Sequence, residues 1–163
     1  MKKIILLFFI LFYGISYAQE TTTYYLIRHA EKERSNPDDK NPNLTLTGHK
    51  RALKWRDVFE NITFDAVYST DLNRTKQTAQ PTADANQLEI LFYNPKQMYA
   101  AEFQQVTEGK SILIVGHSNT TPIFANKILG KKKYTDIADD NNANLYIITK
   151  TGNKTNSILL KVD

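Results

Sequence analysis

A chain of 163 residues without a single cysteine cannot be stapled by disulfides, cannot use a thiolate nucleophile and cannot hold zinc through sulfur. Its 21 Lys and Arg outnumber 17 Asp and Glu, but two of the excess are Lys2 and Lys3, so the remainder carries 19 against 17. That balance argues against nucleic acid as a partner, and the one dense basic run, Lys131-Lys132-Lys133, reads as a solvated loop.

Met1, Lys2 and Lys3 precede an apolar run from Ile4 to Tyr13, and Ser16, Tyr17 and Ala18 follow just before Gln19. A charged head, an apolar middle and a small-x-small site form the pattern of a secretory signal peptide, with cleavage expected after Ala18. The apolar stretch is shorter than the roughly 20 residues a spanning helix needs, and no second one follows. The expectation is a signal peptide over residues 1–18 and an exported, periplasmic domain over residues 19–163, with no stable membrane anchor after cleavage.

From there the elements alternate. Thr22 to Ile27 is β-branched and aromatic and predicts a buried strand, followed by a long exposed loop from Glu31 to Asn43. Thr47 is expected to cap a helix running to about Asn61, and Asp65 to Ser69 reads as a second strand. A helix over Leu72 to Ala85, a strand over Glu89 to Phe92, a helix over Pro95 to Val106, a strand over Ser111 to Val115 and a helix over Thr121 to Leu129 come next. Asn144 to Thr149 and Asn156 to Val162, straddling Thr151, Gly152 and Asn153, predict a closing hairpin. Parallel strands need crossover connections, so this order predicts an α/β three-layer sandwich, its mainly parallel sheet covered by helices on both faces. No repeat or Gly/Ser-rich linker divides the chain, and one domain is expected.

In such a sheet ligands gather beyond the carboxyl ends of the strands, and three segments there carry chemistry. Arg28 and His29 follow the first strand, pairing a fork of donors with an imidazole. Arg74 falls in the first turn of a helix, where backbone amides add to its charge. His117 follows a buried apolar strand after Gly116, whose missing side chain permits a close approach, with Ser118 and Asn119 as candidate pocket lining. Two arginines and two histidines can surround one phosphoryl group: the guanidiniums offset the charge and one imidazole attacks phosphorus, with no metal and no cofactor.

The blocks LIRHAEK, YSTDLNRTKQTA and IVGHSNTTP resemble the signatures of the histidine phosphatase superfamily, the phosphoglycerate mutase-like family, over Tyr25 to about Ile148. The resemblance implies a phosphoglycerate mutase-like fold. It further implies His29 as the phosphorylated nucleophile, Arg28 and Arg74 as phosphate ligands, and His117 as a catalytic histidine contacting the phosphoryl oxygens. Ala30 stands where the family has glycine. LTLTGHKRA, Leu44 to Ala52, resembles the family's helix entry, which makes His49 structural. The family takes its general acid from the segment after the third strand; Glu102 is the candidate there, with Glu31, Asp71, Asp38 and Asp39 as alternatives that only geometry can rank.

The activity so implied is hydrolysis of a small phosphorylated substrate through a phosphohistidine. The chain lacks the length for the insertions by which mutases of this fold keep water from the intermediate. The rival reading is a catalytically weak phosphate-binding envelope protein. Loop Lys32 to Asn43 carries no readable specificity code, and neither oligomeric state nor partner is legible.

Overall fold

The computed structural model describes residues 19–163; the expected signal peptide lies outside the described residues. Six strands form one sheet in the order β3-β2-β4-β1-β5-β6. They are β1 (Thr21–Arg28), β2 (Ala66–Ser69), β3 (Ile90–Phe92), β4 (Ser111–Gly116), β5 (Asn144–Thr151) and β6 (Lys154–Lys161). The pairs β3/β2, β2/β4 and β4/β1 are parallel, whereas β5 runs antiparallel to both β1 and β6. The helices are α1 (Leu46–Val58), α2 (Asn73–Ala85), α3 (Ala101–Thr107) and α4 (Thr120–Leu129). The α/β class and the mostly parallel sheet expected from the alternation are what the chain adopts.

Period-two alternation explains why both faces of the sheet are covered. Tyr24 and Leu26 of β1, with Ile112 and Ile114 of β4, pack on Phe124, Ala125 and Ile128 of α4 and on Phe103 of α3. The intervening Tyr25, Ile27, Leu113 and Val115 face Trp55 of α1, Ala79 and Ala83 of α2, and Phe59 just beyond α1. A central strand apolar at every position has nowhere to put a solvated face, so a helix layer must close each side. Among the described residues no helix is long and apolar enough to cross a membrane.

Three boundaries depart from the pattern-based reading. Thr45, not Thr47, caps α1: its hydroxyl accepts from the Gly48 amide at 3.0 Å, while its own amide donates to the Glu31 carbonyl at 2.9 Å. That tether holds Thr45 extended, which an N-cap requires. The helix also ends at Val58, short of Asn61. α3 covers only Ala101–Thr107, because Asn94 accepts the Lys96 amide in a side-chain turn and Tyr99 takes a φ of +58°. The closing hairpin turns through Gly152 and Asn153, with Gly152 at a φ of +54°.

Gly48 is the tightest of these joints, since a β-carbon there would collide with the backbone carbonyl of Glu31. Gly48→Ala should therefore push α1 off the strand-one loop and cost about 1–3 kcal/mol, the usual range for overpacking. Urea unfolding with an unchanged m-value and a lower midpoint would show it; an unchanged midpoint would mean the loop simply yields.

Candidate active site

The parallel register brings three strand ends level. Arg28 pairs with Gly116 and Ser69 with Val115, so the residues that follow, His29, Thr70 and His117, emerge side by side. The His29 amide continues the ladder by donating to the Gly116 carbonyl at 2.9 Å. Gly116 is indeed a point of close approach: a β-carbon there would lie 2.8 Å from Thr121 Oγ1 and 2.9 Å from the Tyr93 hydroxyl. One residue on, the His117 amide donates to Thr120 Oγ1 at 2.9 Å, fixing the turn into α4.

His29 is buried, and its Nδ1 lies 2.7 Å from the Ala30 carbonyl. A carbonyl only accepts, so Nδ1 carries the hydrogen, and in the neutral ring the free lone pair belongs to Nε2. Burial, opposed by the Ala30 hydrogen bond and reinforced by His117, Arg28 and Arg74, pushes the His29 pKa down to about 3. The imidazole is thus uncharged at neutral pH, as a nucleophile must be. His117 faces it with ring centroids 5.4 Å apart, and its Nε2 lies 3.0 Å from Thr70 Oγ1. Burial, followed by the fields of Arg74 and Arg28, lowers the His117 pKa to about 4.

Arg28 is nearly sealed from solvent, its side chain 3% exposed. Its Nη1 donates to the carbonyls of Ala138, Asp139 and Asn141 at 2.8, 3.0 and 3.0 Å, and Nη2 meets Asp139 Oδ1 at 3.0 Å. Its Nε, together with Nε and Nη1 of Arg74, is buried with no partner in the protein. Buried guanidinium donors without an acceptor are costly, and burial lowers the Arg74 pKa accordingly. An anion with several oxygens is the group that would satisfy them. Thr78 ties the two parts together: its hydroxyl accepts from the Ala30 amide at 2.9 Å and donates to the Arg74 carbonyl at 2.7 Å. Asn142 adds a bond from Nδ2 to the His29 carbonyl at 2.7 Å.

A cavity of about 500 Å³ opens here, lined by Arg28, His29, Glu31, Lys32, Arg34, Asp139, Asp140 and Asn142. Arg28 and His29 line it, and His117 and Arg74 stand close enough to His29 to act on its charge, so these four are brought together, whereas the tentative acid Glu102 is not. It sits exposed in the first turn of α3 and does not line this cavity. Of its alternatives, Asp71 pairs with Lys76 at 2.7 Å, Asp38 and Asp39 lie in the exposed loop, and only Glu31 reaches the cavity. Ser118 and Asn119 serve the backbone instead: the Ser118 carbonyl accepts from Ile137, and Asn119 caps α4. His49 is exposed on α1. Among the described residues no three His, Asp or Glu side chains converge as metal ligands do. Residue patterns missed Lys32, Arg34, Asp139 and Asn142. Thr70 and Thr78 sat inside the YSTDLNRTKQTA block and were not singled out.

A sequence model of the histidine phosphatase superfamily (branch 1) matches residues 24–94. That stretch carries Arg28, His29 and Arg74 and so resembles this superfamily; His117 lies beyond it. The fold of the described chain is phosphoglycerate mutase-like. It is similar to phosphoglycerate mutase from Bacillus anthracis, at 13% identity and a TM-score of 0.64, over 88% of this chain and 94% of that one. It is similar to YhfR from Bacillus stearothermophilus, at 14% identity and a TM-score of 0.67, over 87% and 98%. The protein histidine phosphatase SixA complexed with tungstate aligns at 15% identity and a TM-score of 0.66, over 85% and 96%. No curated protein matches the chain.

Two outcomes follow from this geometry. Thr78→Val removes the hydroxyl at nearly constant volume and strands the Ala30 amide, at an expected cost of about 1–3 kcal/mol, visible as a lower urea midpoint. Between pH 6.5 and about 3 to 4, unfolded imidazoles bind protons that buried His29 and His117 refuse. Stability should therefore fall as pH drops through that window. A His117→Gln variant should lose part of that slope in melting curves from pH 7 to 4; an identical slope would refute the assignment.

Proposed function

We propose that this protein is a metal-independent phosphatase that hydrolyses a small phosphorylated substrate through a phosphohistidine on His29. The superfamily implies a phosphorylated substrate. The observation that carries the reading is the neutral His29 ring, its Nδ1–H held by the Ala30 carbonyl, beside guanidinium donors of Arg28 and Arg74 that lack protein partners. In this scheme Nε2 attacks phosphorus in line, the ester P–O bond breaks toward the leaving group, and water then cleaves the N–P bond to release phosphate. Arg28, Arg74 and His117 hold the equatorial oxygens as charge redistributes over them. The leader-like residues 1–18 support export to the periplasm, and N-terminal sequencing of the mature protein should begin at Gln19.

A second reading, a phosphate-binding envelope protein with little turnover, draws on the carboxyl groups. Glu31 Oε1 is ion-paired with Arg51 at 2.7 Å, and Asp139 with Arg28 and Arg34 at 3.0 and 2.9 Å. Each thus has an oxygen committed to an arginine, although Glu31 Oε2 is buried without a partner.

One assay separates the two. Protein lacking residues 1–18 should release phosphate from 4-nitrophenyl phosphate in the presence of chelator, and should yield an acid-labile phosphoenzyme on rapid quench. His29→Ala should lower the rate by roughly a thousandfold or more, and Arg74→Ala should weaken phosphate binding as well. Phosphate binding without turnover at any pH would leave only the second reading.

A further inference from the structure

Two cations stand at the mouth of the cavity that the phosphohistidine scheme leaves unused, Lys32 and Arg34. Lys32 is fixed in place: its backbone bridges to Leu44 across the base of the loop, and the next residue donates from its amide to the Asn43 carbonyl at 2.9 Å. Among the described residues Lys32 forms no ion pair with a carboxylate. It is partly buried and sits in the fields of Arg74, Arg34 and Arg28, which together lower its pKa. Arg34 reaches across to Asp139, with Nη1 on Oδ2 and Nη2 on Oδ1, both at 2.9 Å. The same Asp139 carboxylate also takes Arg28, and these two arginines hold its pKa below the ordinary carboxylate value.

Charge at the mouth is therefore out of balance. Arg28, Lys32 and Arg34 line it with Asp139 and the exposed Asp140, because Glu31 is already paired with Arg51, and Arg74 lies close enough for its charge to act on Lys32. A single phosphoryl group matches Arg28 and Arg74 and leaves the outer pair without a substrate partner. Asp139 occupies that outer position as an internal stand-in for an anion. Its bond to Arg34 joins side chains 55% and 71% exposed, and ion pairs so open to solvent are weak enough for a multiply charged ligand to displace.

We propose that Lys32 and Arg34 form a second anion subsite that receives a negatively charged leaving group, so that the preferred substrates are phosphoanhydrides such as diphosphates rather than simple alkyl monoesters. This rests on the phosphohistidine reading and deepens it. The step balances without an acid: the His29 Nε2–P bond forms, the bridging P–O bond breaks, and its electron pair stays on the departing phosphate. That phosphate leaves as an anion neutralised by Lys32 and Arg34. Water then attacks the phosphohistidine, the N–P bond breaks, and the water's proton passes to the solvent. Ion-paired Glu31 and Asp139 are no handicap to such a reaction, because its leaving group needs no proton.

Calorimetric binding of methylenediphosphonate and of methylphosphonate, neither of which is turned over, tests the subsite on the folded protein. The diphosphonate should bind about tenfold or more tightly than the monophosphonate. Lys32→Ala and Arg34→Ala should each shrink that ratio several-fold, and Asp139→Asn should widen it by removing the competing carboxylate. A ratio insensitive to any loss of folded protein is the readout. Equal affinities in the wild type, a ratio unchanged in both cation variants, or a ratio narrowed by Asp139→Asn would overturn the proposal. Failure of aryl phosphate turnover, by contrast, would sink the hydrolase reading and leave this binding result standing on its own.

Discussion

Burial of the Arg28 guanidinium at the end of the central strand constrains everything around it. A permanently charged group this far from water is tolerated only where acceptors surround it, and the carbonyls of Ala138, Asp139 and Asn141 provide them. The chain between α4 and β5 is thereby drawn across the carboxyl edge of the sheet. It brings Asp139 to the cavity mouth and Asn142 onto the His29 carbonyl. Ile137, buried and bonded through its amide to the Ser118 carbonyl, anchors the same segment from the other side.

The histidines and arginines then divide the electrostatic work. Burial keeps both imidazoles neutral, so the positive charge beside them resides in the guanidinium groups of Arg28 and Arg74, which cannot lose it. For the proposed reaction, a neutral His29 between fixed cations suits an approaching phosphoryl dianion, since attraction and nucleophilicity do not compete for the same nitrogen. The supporting bonds are mostly hydroxyl and backbone ones: Thr78 joins the strand-one loop to α2, and Thr70 meets His117 from the end of β2. They hold geometry without adding charge to a crowded site.

How far the sequence carries depends on whether a signal is local. Apolar alternation in β1 and β4, the strand-helix order and the polar groups at strand ends are local, and the fold class and the grouping of Arg28, His29, Arg74 and His117 could be read from them. Helix α3 is shorter than residue patterns suggest because Pro95 and the residues after it have no clear periodicity, and the positive φ of Tyr99 is invisible in a residue pattern. Two threonines compete to cap α1, and the one that does so is tethered to Glu31, 14 residues away.

Residue order alone thus shows where Arg28, His29 and His117 stand at strand ends and Arg74 at a helix start, because strand periodicity and strand-end position are properties of neighbours along the chain. What surrounds them is set by packing. Glu102 does not line the cavity, and Lys32, Arg34 and Asp139 do, because contacts more than a hundred residues apart set that arrangement. Burial, which neutralises the two histidines and leaves arginine donors without partners, is likewise a property of the packed molecule and of no segment alone.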